Sequence, residues 1–276
     1  MRQFQRRKTM SGIISSLKNS DLRELMARGF VGSILSALLL SCAACGGGDG
    51  SSAYAATPAT QEQKSVLIEA YGDSTTLGAQ TVDGVLTTTQ NSEPAQLQAL
   101  LQQRFGTSVT VKNEGVGGTQ AFQLLSGTDG KHPEWKIQME QSKAQVVLLN
   151  FALNDFYYWK APQPGAYEAS PSEYAKILGY LIQTARDAGK IVVLQEPNPT
   201  CKQPDPGTII QYVEALRSEA ALQNAPLVAQ FEFDQTTPDW KSMMTDCAHP
   251  DDQLYGIKAK QTFSVVEPIV ESIIGR

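Results

Sequence analysis

Val146-Val-Leu-Leu-Asn-Phe151 is the stretch whose reading decides the fold. A short apolar run without polar alternation suits a strand buried on both faces of a sheet. Working outward, Val66–Tyr71, Ser108–Lys112, Ile191–Leu194 and Leu227–Phe231 read as further strands. Between them lie helical patterns at Pro94–Phe105, Ser172–Ala188 and Thr208–Gln223, and a last one at Tyr255–Ile274 that Pro268 should interrupt. In Ser172–Ala188, the residues Tyr174, Ile177, Leu178, Leu181, Ile182 and Ala185 form one stripe that stops at Gly189. Strands alternating with helices predict an α/β protein, a three-layer α/β/α sandwich around a central parallel sheet. Ligands of such sheets sit beyond the carboxyl ends of the strands.

The first sixty residues read differently. Phe30–Leu40 is one apolar run behind Arg28, followed by Ser41-Cys42-Ala43-Ala44-Cys45. A basic flank, about ten apolar residues and a small-residue exit form a secretory signal, and a spanning helix needs about twenty. The basic flank is long, and Met10 and Met26 are alternative starts. Leu39-Leu40-Ser41-Cys42 resembles the bacterial lipoprotein processing box, with Cys45 a second choice of lipidated residue and simple cleavage the plainer alternative. The expected layout is a signal over 1–41, a Gly/Ser/Ala-rich tether over 42–62 and a domain over 63–276. Ala43, by resemblance to other lipoproteins, points to the outer membrane of a Gram-negative bacterium; release into the periplasm or medium is the alternative.

Residues 1–41 hold seven of the 23 Lys and Arg and two of the 28 Asp and Glu, so the remainder carries a net charge of −10. Such a surface repels polyanions, which argues against nucleic acid as a partner. Cys201 and Cys247 are left in the domain, and two cysteines of an exported protein are more often bridged than free. About 210 residues suffice for one domain, and no internal repeat or second linker is visible.

Four segments carry chemistry-bearing residues: Gly72-Asp73-Ser74-Thr75 after the first strand, Asn113-Glu-Gly-Val-Gly-Gly118 after the second, Ala152-Leu-Asn154-Asp155 after the third, and Asp246-Cys-Ala-His249-Pro250 before the last helix. Alone, Gly-Asp-Ser is a common turn. In this order and after these elements, the four resemble the SGNH, or GDSL, hydrolase family over essentially the whole domain. The resemblance implies a flavodoxin-like sandwich and a serine esterase in which Ser74 is the nucleophile, His249 the general base and Asp246 its orienting acid. It further implies an oxyanion hole from the backbone N–H of Ser74, the N–H of Gly118 and the side chain of Asn154. Gly117 stands one residue from the position that spacing selects. The family's third block usually begins with Gly, where this chain has Ala152.

Asp129-Gly-Lys-His132-Pro133 repeats the Asp-x-x-His-Pro pattern, and His132 and His249 are the only histidines. Pattern does not choose between them. Position does, because by the resemblance the catalytic His follows the last strand, and His132 reads as a loop residue. Asp73, Asp155 and Asn113 read as residues that hold turns. Phe156-Tyr157-Tyr158-Trp159 packs under the following loop in one reading; in the other, Tyr157, Tyr158 and Trp159 wall the substrate pocket. In the implied fold Cys201 and Cys247 both lie at the catalytic end, where a disulfide would pin the acid–base loop; two unpaired thiols are the alternative.

The expected activity is hydrolysis of an O-acyl ester, short-chain or acetyl, through an acyl-enzyme on Ser74. Short inter-block loops favour the small acyl group. An acyltransferase using a sugar or alcohol acceptor would share the site. A non-catalytic carbohydrate- or lipid-binding module is the reading from another class. No metal or cofactor is expected, since no His/Cys cluster has ligand spacing and no Gly-rich phosphate loop occurs. The expected partner is a small-molecule or polysaccharide ester, bound by a monomer that meets a membrane only through its lipid anchor.

Overall fold

A computed structural model describes residues 64–201 and 206–275. The expected signal, the tether and the candidate lipidation sites Cys42 and Cys45 lie outside the described residues. Strand β1 (Val66–Gly72) leads into a one-turn helix α1 (Ser74–Leu77), then the strands β2 (Ala79–Val82) and β3 (Val85–Thr88). Helix α2 (Glu93–Phe105), strand β4 (Val109–Asn113), helices α3 (Ala121–Ser126) and α4 (Trp135–Gln141), and strand β5 (Val146–Asn150) follow. Then come α5 (Leu153–Lys160), α6 (Pro171–Asp187), β6 (Ile191–Gln195), α7 (Pro206–Leu222), β7 (Leu227–Val228), α8 (Phe231–Thr236) and α9 (Asp252–Ile274).

Five strands form a wholly parallel sheet in the order β4-β1-β5-β6-β7, the flavodoxin-like arrangement. Alternate residues of each strand enter different cores. Val146 and Leu148 join Ile68, Ala70 and Val193 under Leu97 and Leu101 of α2 and Ala259, Val266 and Val270 of α9. Val147 and Leu149 join Tyr71, Val192 and Leu194 under Trp135, Leu181 and Tyr212 from α4, α6 and α7. This double burial is why the strands read as unbroken apolar runs. The chain leaves β1 towards β4, then crosses to β5 and continues the other way. The switch point therefore lies between β1 and β5, where loops open a crevice at the carboxyl ends. Gly72 of β1 is paired with Asn150 of β5, and Asn150 with Gln195 of β6, so the segments after these strands start at one level.

Two expectations need correction, and one element is new. The last strand is only Leu227–Val228, and Phe231 starts a helix. Gln230 N–H turns back to Val228 O, and the buried Glu196 carboxylate accepts the Phe231 N–H at 2.9 Å, which starts the helix at once. The last helix runs unbroken through Pro268 and begins at Asp252, capped by Asp251, whose carboxylate accepts from Leu254 N–H. Val266 and Val270 on either side of the proline are fully buried, and that packing holds the helix despite one lost backbone bond. The hairpin of β2 and β3 went unread, although Val82-Asp83-Gly84-Val85 encodes it. Asp83 (φ 50°) and Gly84 (φ 78°) both take the positive φ of a two-residue type I′ turn.

Candidate active site

The turn after β1 is built so that Ser74 opens a helix. Asp73 caps it, its Oδ1 accepting from Thr75 N–H at 2.9 Å and Thr75 Oγ1 at 2.8 Å. A side chain at Gly72 would overlap Thr76 Oγ1 and Asn150 O, so the strand leaves the sheet only with glycine there. Ser74 N–H lies in the first turn, where the helix offers it no acceptor. The second segment clamps this turn from the side. Asn113 Nδ2 donates to Thr76 O at 2.8 Å, and its Oδ1 accepts from Gly115 N–H. A Cβ on Gly115 would strike the Leu77 backbone, and one on Gly117 would lie 3.9 Å from Ser74 Cβ. Gly118 follows with φ 76°.

From the far end of the chain, His249 Nε2 reaches Ser74 Oγ at 2.9 Å, and its Nδ1 meets Asp246 Oδ2 at 2.7 Å. Asp246 Oδ1 accepts the N–H groups of Ala248 (3.0 Å) and His249 (2.9 Å). Thr81 Oγ1 adds a fourth donor, to Oδ2, at 2.6 Å. Partial burial would raise the Asp246 pKa, but these four hydrogen bonds outweigh it and hold the carboxyl well below its usual range. Asn154, on the first turn of α5, points its amide at the second segment, with Nδ2 donating to Thr119 O at 2.9 Å. A hydroxyl with a base at hydrogen-bond distance, a base with an ionised orienting partner, and amide donors alongside can carry out acyl transfer.

The model of the GDSL-like lipase/acylhydrolase family matches residues 70–257, which includes every residue of this cluster. The chain belongs to the GDSL-like lipase/acylhydrolase family. As a member it is a serine ester hydrolase. No curated protein matches it. Among solved structures it is similar to an acetyl xylan esterase, AlAXEase (TM-score 0.57, 19% identity, covering 73% of this chain and 100% of that one). It is also similar to the acetylxylan esterase Axe2 from Geobacillus stearothermophilus (0.57, 19%, 74% and 95%). A third is LAE5, an alpha/beta hydrolase enzyme from the metagenome of Lake Arreo (0.59, 19%, 74% and 96%). At such identities the likeness is one of fold.

Against the family pattern, Ala152 is the telling departure. Its φ of 135° is one that L side chains rarely adopt, so an alanine here carries strain that glycine would not. Ala152 is fully buried and belongs to the apolar core. Asp155 next along is also fully buried, with Oδ1 accepting from Ala121 N–H at 3.2 Å and Oδ2 left without a partner. Burial pushes its pKa up to about 7, and the charge of Asp73 adds to the rise against the pull of nearby N–H groups. Burial likewise raises Asp73.

The aromatic run divides. Phe156 is core, Tyr157 leans on it at 5.3 Å between ring centres, Tyr158 hydroxyl donates to Gly118 O at 3.3 Å, and Trp159 is exposed. Packing therefore accounts for Phe156 and Tyr157, while Tyr158 borders the Gly118 side of the cluster.

Cys201 and Cys247 form a disulfide, reinforced by Cys201 N–H donating to Cys247 O at 3.0 Å. His132 lies elsewhere, buried against Tyr71. Three residues that hold the cluster escaped the sequence reading. Thr81 is one, and the Asp83-Gly84 turn was the signal for it. Asn198 bonds Ala248 O at 3.1 Å, and the fully buried Lys258 reaches Asn198 Oδ1 at 3.4 Å and pairs with Glu93 at 3.2 Å. Neither of these has a local sequence signature, because each acts across elements distant along the chain.

Proposed function

We propose that the chain hydrolyses small O-acyl esters, of the acetyl class and carried on a saccharide, through an acyl-enzyme on Ser74. The observation that carries this reading is the 2.9 Å approach of His249 Nε2 to Ser74 Oγ, with Asp246 behind the imidazole. As Oγ attacks the ester carbonyl carbon, His249 Nε2 takes its proton and Asp246 steadies the imidazolium. Negative charge on the carbonyl oxygen meets the N–H groups of Ser74 and Gly118 and the Asn154 amide. The tetrahedral adduct collapses, its C–O bond to the alcohol breaks, and His249 returns the proton to the departing oxygen. Water then attacks the acyl-enzyme with the same base and frees the carboxylate and Ser74.

One support favours a small acyl group on a saccharide: the similar solved structures include two acetylxylan esterases. We also propose an exported protein tethered through Cys42; the Cys201–Cys247 bridge favours an oxidising compartment.

Rates on p-nitrophenyl esters from acetate to palmitate test the substrate class. A maximum at acetate or butyrate is expected, and a maximum at long chains overturns it. Stoichiometric labelling of Ser74 by an organophosphonate, lost in Ser74→Ala, tests the nucleophile.

A further inference from the structure

The hairpin of β2 and β3 is poorly explained by packing. Of its strand residues only Ala79 is buried, while Val82, Val85 and Leu86 are 50%, 61% and 60% exposed. Its base is nevertheless held firmly. Tyr255 hydroxyl donates to Ala79 O at 2.8 Å, and both Gln80 Nε2 (2.6 Å) and Thr89 Oγ1 (2.7 Å) donate to Asp252 Oδ1. At its middle, Thr81 N–H donates to Thr245 Oγ1 at 2.9 Å, and that hydroxyl donates on to His249 O at 3.0 Å. Thr81 is thus tied by its backbone to the strip that carries His249, which directs its hydroxyl at Asp246 Oδ2.

We infer that Thr81 is a positioning residue for the acid–base pair, setting through Asp246 the orientation of His249. The inference rests on the reading of Ser74, His249 and Asp246 as the triad. Asp246 Oδ2 takes Thr81 O–H and His249 Nδ1 together, while Oδ1 takes two backbone N–H groups. Four donors use the acceptor capacity of a carboxylate, so the group cannot turn away from the imidazole. The other titratable groups facing the pair are Asp73 near His249 and Tyr255 near Asp246. Asp73 is committed to other donors, and Tyr255 donates to Ala79 O. None of them replaces Thr81.

Thr81→Val keeps the β-branched shape and removes the donor; Thr81→Ser keeps the donor. In the full chain with p-nitrophenyl acetate, Thr81→Val is expected to lower kcat about tenfold with KM within twofold. Thr81→Ser should restore kcat, and Thr81→Ala serves if valine distorts the strand. An unchanged kcat in the valine and alanine variants overturns the inference. A kcat lowered just as far in Thr81→Ser, or a KM raised together with the loss, also overturns it, since that marks a structural role alone. Failure of the wild-type chain to label at Ser74 would instead sink the reading of the triad.

Discussion

His132 presents its Nε2 to Glu114 Oε2 at 3.1 Å, where the corresponding nitrogen of His249 meets a serine hydroxyl. The two histidines are otherwise held alike. In each, the Asp three residues earlier accepts the His backbone N–H on Oδ1, at 2.8 Å from His132 and 2.9 Å from His249. The same Asp meets Nδ1 through Oδ2, at 2.6 Å and 2.7 Å. Glu114, itself paired with Lys112 and Lys131, turns the first unit into a buried bracket behind Tyr71.

From that contrast, His249→Ala should lower kcat by on the order of 10⁶-fold, while His132→Ala should leave kcat within a few-fold. The His132 variant should lose about 1–3 kcal/mol of stability because it strands buried carboxylates. Steady-state kinetics beside denaturant unfolding separate the two effects. A silent His249 variant would remove it from the mechanism.

Ala152→Gly should stabilise the protein by about 1 kcal/mol. Relief of a φ of 135° removes roughly 1–3 kcal/mol of strain, against about 0.5–1 kcal/mol for glycine's greater freedom when unfolded. Urea midpoints measure it, and a lower midpoint for the glycine variant contradicts the strain argument.

Asp155, with its pKa pushed up to about 7 by burial, predicts a pH-dependent stability. Between about pH 4 and 7 the folded chain keeps a proton that the unfolded chain has released, so stability falls as pH rises through that window. Below it both states are protonated, and above it the loss is complete. Asp234, raised to about 7 chiefly by its burial, acts in the same window. Asp155→Asn, which keeps the acceptor for Ala121 N–H, should flatten this slope in part. Thermal midpoints at pH 5 and 8 read it out, and an unaltered difference would show that the carboxyl is not protonated when folded.

Cys201→Ser with Cys247→Ser should cost about 2–4 kcal/mol of stability. The kcat should also fall severalfold, since Cys247 sits between Asp246 and His249 with a φ of 69°. Unchanged turnover in the double variant would show that hydrogen bonds alone hold the loop.

Much of the site is legible locally. Asp73 as a cap, Asn113 as a turn anchor, and Asp246 gripping His249 need only a few neighbouring residues, so spacing reveals them. Asn198 and Lys258 do not stand out, because their partners are more than forty residues away and no periodicity links them, and Thr81 is signalled only by the Asp83-Gly84 turn beside it. Leu227–Phe231 misled for the opposite reason. Its composition suits a strand, but Glu196 and Gln230 end the strand after two residues.

The amino-acid sequence by itself determined the apolar runs that only a doubly covered sheet can bury, and two Asp-x-x-His units that close on themselves. Neither unit by itself says which serves Ser74; chain position singles out His249 only through the family resemblance, and tertiary structure supplies the physical reason. The parallel sheet sets β1 beside β5, and α9 packs across β1 and α2. The disulfide and the hairpin then hold Asp246-Cys-Ala-His249 over the turn after β1, while the other unit is closed off by Glu114. A local hydrogen-bond pattern depends on a few dihedrals, but a 2.9 Å contact across 175 residues exists only once the core has formed.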